Sequence, residues 1–210
     1  MSEAMHTTPA PDGGPAGPPV LPTPAETTKL GIWLWLASDC ALFASLIATY
    51  LTLHGQTAGG PTAQQLFDLP LTLVSTFALL LSSVTMGVAL EALQKDDIAA
   101  LRRWLVVTAL LGAIFVGLEI REFHHYTVSG LWFQRSDFAS SFYVLVGFHG
   151  LHVSFGIAWI LSLLIFTFRK PGGITRADHW RFEMMSLYWY FVDVVWVVIF
   201  TVIYLLGKVG

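Results

Sequence analysis

The stretch GIWLWLASDCALFASLIATYLTL, Gly31 to Leu53, decides the fold. Its 23 residues carry a single charge, Asp39. As a helix at 1.5 Å rise per residue it reaches about 34 Å, enough to cross a hydrocarbon core of about 30 Å. Four further apolar runs follow, at about residues 70–93, 104–126, 139–168 and 184–206. The fourth is longer than a crossing requires and is expected to tilt or project. The expected fold is therefore all-α, a polytopic membrane protein built as a bundle of five transmembrane helices over residues 29–210.

Composition supports the same reading. Of the 210 residues, 55% are hydrophobic and 12% charged, whereas soluble domains carry about a quarter charged residues. A soluble enzyme with a hydrophobic tail is excluded. The net charge is −3 and the 11 Lys and Arg residues are scattered, so no basic stripe for nucleic acid exists. The single cysteine, Cys40, lies inside an apolar run, which excludes a disulfide framework or a cysteine metal site.

Seven of the ten prolines fall within the first 24 residues, beside Gly13, Gly14 and Gly17. Residues 1–28 read as a disordered Pro/Gly-rich tail. The tail lacks the basic start of a secretory signal and is expected to be retained. The segment HGQTAGGPTAQQLFDLP, residues 54–70, breaks the first helix from the second. Eight basic residues (Lys29, Lys95, Arg102, Arg103, Arg169, Lys170, Arg176, Arg181) lie on the N-terminal side of the membrane and three (Arg121, Arg135, Lys208) on the other. That bias places the N-terminus inside and, with five spans, the C-terminus outside.

Ionisable groups within the spans cost at least about 2.5 kcal/mol each to insert, so each needs a partner or cavity water. Counting along the helices at 1.5 Å per residue puts Asp39 and Asp193 about 12 and 14 Å from the inner edge. His152 on the descending fourth helix comes out level with them, while Glu119 lies nearer the depth of His149. We expect Glu119 to pair with His149, and His152 to pair with one of the two aspartates. Two roles stay open for these five groups: hydrogen bonds that fix helix register, and a proton relay.

His149 and His152 stand i, i+3 on one helix and cannot clasp one iron from opposite sides, and the first, second and fifth spans have no histidine. His124 and His125 lack a cluster that would complete a metal shell. No cofactor or metal is expected in this chain. Trp189, Asp193 and Trp196 share a face of the fifth helix, read as packing or as a binding face. Ser83/Gly87, Ala113/Gly117 and Gly150/Ser154 are small-residue pairs that permit close helix approach.

Four motifs, ASDCALF (37–43), LEIREFHH (118–125), GFHGLHV (147–153) and YWYFVDVVW (188–196), together resemble subunit III of the haem-copper respiratory oxidases. The segment AGGPTAQQLFDLP (58–70) and the five-helix length are most similar to the bo-type ubiquinol oxidase version. The resemblance spans about residues 29–207. It implies a non-catalytic membrane subunit without redox centres, beside a catalytic subunit I that holds haem and copper, with subunits II and IV and bound phospholipid as further partners. It also implies a bacterial inner-membrane location and a role in stabilising the catalytic subunit and supporting its proton supply. Asp39, Glu119, His149, His152 and Asp193 fall on motif positions, Asp39 where the cytochrome c oxidase branch has a carbodiimide-reactive glutamate. Tyr190 stands where the family usually has His, and with Trp189 and Trp196 it is a candidate for packing or lipid contact. The alternatives are a small transporter or channel lined by Asp39, Glu119 and Asp193, and a membrane cytochrome that binds haem itself.

Overall fold

Five long helices form because long apolar runs must satisfy every backbone group internally once water is absent. The computed structural model describes residues 24–57, 69–170 and 173–206. The helices are α1 (Pro24–Leu53), α2 (Leu69–Gln94), α3 (Ile98–Val128), α4 (Asp137–Arg169) and α5 (His179–Phe200). The last runs on as a π-helical turn, Thr201–Leu206. All five are long and apolar enough to cross a membrane.

The ends are set by polar residues that hydropathy does not register. Asp97 caps α3, accepting from the Ala100 N–H at 2.9 Å, which starts the helix six residues before Trp104. Ser136 caps α4 in the same way through Ala139. Residues 24–28, read from sequence as the end of the tail, are instead the first turn of α1. Proline is favourable at that first position, where the missing N–H has no intrahelical partner anyway. The tail over residues 1–23 lies outside the described residues.

Helices α2, α3, α4 and α5 pack in a ring, each touching the next and α5 returning to α2, while α1 lies outside it against α4 and α5. Trp35 of α1 stacks on Tyr188 of α5, with ring centroids 5.2 Å apart. Near their N-terminal ends, Lys29 of α1 pairs with Glu183 of α5 at 3.3 Å. Arg102 of α3 donates to Thr167 of α4 and lies 4.1 Å over the Phe168 ring.

Trp189 occupies the middle of the ring. Its indole N–H donates to Ser82 Oγ of α2 at 3.0 Å, and its ring fills a slot between Gly112 of α3 and Gly156 of α4. A Cβ added at either glycine would stand 2.8 Å from a Trp189 ring carbon. Two small residues thus admit the largest side chain of the core, and three helices converge on the fourth.

Gly112→Ala and Gly156→Ala should each lower stability by about 1–3 kcal/mol through overpacking. Gly117→Ala, where an added Cβ meets nothing within 4 Å, should be near neutral. Unfolding midpoints of the full chain in detergent check this; equal loss at all three positions would contradict the slot.

Candidate functional site

Asp39 and His152 meet. The His152 Nε2 atom stands 3.7 Å from Asp39 Oδ2, and both side chains are mostly buried between α1 and α4. His152 Nδ1 lies 2.7 Å from the Phe148 carbonyl. A carbonyl only accepts, so Nδ1 carries the hydrogen and Nε2 is the atom turned to the carboxylate. Phe43 covers the imidazole edge-on at 5.0 Å, and Tyr188 O–H donates to the His152 backbone carbonyl at 3.0 Å. Beside the pair a surface groove of about 150 Å³ is lined by Trp35, Leu151, His152, Phe155 and Tyr188.

Glu119 and His149 do not pair, contrary to the depth argument. His149 is fully buried and turns to α5, where Nε2 donates to the Val192 carbonyl at 3.3 Å, between the rings of Phe115 and Trp196. Its Nδ1 has no partner among the described residues. Glu119 leans on the Gly150 backbone of α4, with Oε2 2.7 Å from where a Cβ would stand, and its Oε1 has no partner among the described residues. Depth fixes the level of a residue but not the direction in which it points.

Asp193 lies at the α2/α5 seam beside Ser83, away from His152. The Ser83 hydroxyl interacts with the Asp193 carboxyl across that seam, and Asp193 Oδ1 and Ser83 Oγ are both shielded from the surface. The remaining aromatic candidates pack. Trp196 donates to Thr76 Oγ1 at 3.0 Å, which itself donates to the Thr72 carbonyl, and Tyr190 places its hydroxyl against Gly87.

The sequence reading missed Glu122. It is buried toward the C-terminal end of α3, where Thr72 O–H donates to Oε1 at 2.7 Å and Tyr126 O–H at 3.3 Å. A cavity of about 150 Å³ adjoins it, lined by Leu71, Arg121, Glu122, His125 and Tyr126. The signal was present: Glu119 and Glu122 are i, i+3 on one helix and share a face. Among the described residues, no group of three or more His, Cys, Asp or Glu side chains is arranged to hold a metal ion.

A ring of helices pinned by one tryptophan, with acids and imidazoles distributed between its interior and its edges, defines an integral membrane subunit of the polytopic helical class. Residues 23–208 match the family model described as cytochrome c oxidase subunit III, and the chain belongs to that family. It is 49% identical over 181 residues to cytochrome c oxidase subunit 3 of Bacillus sp. strain PS3, covering 86% of each chain. It is 48% identical over 180 residues to cytochrome bo(3) ubiquinol oxidase subunit 3 of Pseudomonas aeruginosa, covering 86% of this chain and 85% of that one. With the Pseudomonas putida protein of the same name it shares 47% over 182 residues, 87% of each. The chain is accordingly a non-catalytic subunit of a multi-subunit oxidase in a membrane. The transporter alternative has no support in these relatives.

The Glu119–Gly150 contact makes a coupled test. Gly150→Ala should destabilise by about 1–3 kcal/mol, because the added methyl forces the buried Glu119 carboxyl to shift. In a Glu119→Ala background the same change should be nearly neutral, a coupling readable from a double-mutant cycle of unfolding midpoints. Additive effects would show that the two residues do not touch.

Proposed function

We propose that the chain is subunit III of a bacterial terminal ubiquinol oxidase and that it supports the stability and proton supply of the catalytic subunit. In this reading subunit I carries the haems and copper, subunits II and IV complete the complex, and phospholipid fills the surface grooves. A second groove of about 210 Å³, lined by Leu46, Thr49, Leu53, Ser140, Ser141 and Val144, suits an acyl chain as the Trp35 groove does. The membrane is the bacterial inner membrane, with the N-terminus cytoplasmic and the C-terminus periplasmic, as the eight-to-three distribution of basic residues favours. The ubiquinol donor rests on the names of the Pseudomonas relatives and on the resemblance of residues 58–70.

The observation that carries the proton role is the Asp39–His152 contact. With the hydrogen on Nδ1, a neutral His152 turns a bare lone pair toward the carboxylate, and two acceptors repel. One added proton, held as imidazolium and carboxylate or as imidazole and carboxylic acid, makes the contact attractive. The 3.7 Å separation is an ion-pair distance, longer than a direct hydrogen bond. In this reading the pair is a place where a proton can be held between α1 and α4, in the inner half of the bilayer by the rise along α1. A store at that place suits a subunit that feeds a neighbour and does no redox chemistry of its own.

In the assembled oxidase, Asp39→Asn should leave the initial rate of oxygen consumption within about two-fold of wild type. It should reduce the number of turnovers before inactivation several-fold. Time courses with ubiquinol as donor check both quantities, and immediate, complete loss of electron transfer would overturn the supporting role. The unaltered complex should accept electrons from ubiquinol and not from reduced cytochrome c; the opposite preference would reassign the donor.

A further inference from the structure

Two acids toward the C-terminal end of α3 take no part in the contacts invoked so far. Glu119 and Glu122 stand i, i+3 on one face of that helix and are 5% and 4% exposed. Their surroundings differ. Glu122 accepts an O–H from Thr72 of α2 and another from Tyr126, and Tyr204 of the π-helical turn, itself buried, interacts with Tyr126. It also lines the cavity of about 150 Å³ with Leu71, Arg121, His125 and Tyr126, a space roomy enough for water. Arg121 and His125 are exposed, so the cavity reaches the surface beside a guanidinium and an imidazole.

Glu119 has no such support. Its Oε1 meets no hydrogen-bond partner among the described residues, and its Oε2 presses on the Gly150 backbone of α4. The titratable groups of the packed elements do not relieve it: His149 of α4 turns to the Val192 carbonyl, Tyr143 of α4 donates to the Leu131 carbonyl, and Tyr204 lies near both acids without a charge to offer. At this level α2 presents the Thr72 hydroxyl, already given to Glu122. A carboxylate at Glu119 would be a buried, unpaired charge next to a second one, whereas a carboxylic acid is neutral. We propose that Glu119 and Glu122 form a proton-binding site that carries one negative charge between them, with the proton on Glu119, the charge on Glu122, and exchange with water through the Arg121/His125 cavity. Glu122 lines that cavity and relays the proton, and no other bond changes. The division follows the environments, with donors and a nearby cation on Glu122 and neither on Glu119. The site stands apart from the Asp39–His152 pair, toward the opposite face of the membrane by the rise along α3.

Infrared difference spectra of the complete oxidase at neutral pH test this. Wild type minus Glu119→Gln should show one carboxylic-acid C=O stretch, and wild type minus Glu122→Gln should show carboxylate stretches in its place. Glu119→Ala, which also relieves the Gly150 contact, should remove the same C=O band if the Gln variant fails to assemble. In D2O that band should shift as the proton exchanges, and filling the cavity by Leu71→Trp or His125→Trp should slow the shift several-fold. Carboxylate bands from both acids, or carboxylic-acid bands from both, would overturn the single shared charge. A C=O band that never exchanges, or exchanges as fast with the cavity filled, would overturn the route through Glu122. These bands belong to this chain whichever donor the oxidase uses, so a reassigned donor would leave them unchanged.

Discussion

The Trp189 indole in its glycine slot is the contact on which the arrangement of the other helices depends. Within a bilayer, helices gain little from hiding apolar surface from one another, since lipid tails are equally apolar, and association rests on close packing and interhelical hydrogen bonds. Trp189 supplies both at one point: ring against the backbones of α3 and α4, N–H to Ser82 of α2. The Trp196 hydrogen bond to Thr76 repeats the α2 connection two turns further along α5 and fixes the rotation of α5 against α2. With α5 held in this way its two edges become distinct, one turned to α1 and the Asp39–His152 pair, the other packed on α2 where Asp193 is buried.

The hydroxyl residues of α2 show how the bundle tolerates polar groups in a dry interior. Ser75, Thr76, Ser82 and Thr85 each donate to a backbone carbonyl three or four residues earlier, which satisfies the hydrogen and leaves the oxygen free to accept. Two of these oxygens then accept from the tryptophans of α5, and Thr85 meets Thr108 of α3 at 2.8 Å. Helix α2 is therefore an acceptor-rich rail, and the absence of ionisable groups from its membrane interior is consistent with that use. The acids and histidines sit on the other four helices or at the bundle's ends, where geometry and not local bonding decides their partners.

The five spans were legible because each is a long apolar run with turn chemistry between, and the common level of His152 with Asp39 and Asp193 because the rise per residue converts sequence distance into depth, which left the choice between the two aspartates to the structure. What stayed hidden needed azimuth. His149 is level with Glu119, yet its ring turns to the Val192 carbonyl, and nothing in the spacing reports that rotation. The small-residue pairs were an incomplete guide for the same reason. Gly117 meets nothing and Gly150 meets the Glu119 carboxyl, whereas Gly112 and Gly156, members of none of the pairs singled out, admit the Trp189 ring. A glycine's use is defined by the side chain opposite it, which only tertiary structure supplies. The helix starts were missed for a local reason, since capping residues such as Asp97 and Ser136 lie outside the apolar runs they begin.

The relatives add a constraint on what this fold is for. Proteins named for cytochrome c and for ubiquinol resemble the chain almost equally, at 49% and 48% identity. A subunit that touched the electron donor would be expected to diverge with it, because a soluble haem protein and a membrane quinol demand different surfaces. Comparable likeness to both fits a subunit whose features serve what the two oxidases share, a proton-consuming core embedded in lipid. The Asp39–His152 pair and its neighbouring groove lie between α1, α4 and α5, and Asp193 lies between α2 and α5. Each is a membrane-level feature, and none presents a site at which an electron carrier would be told from another.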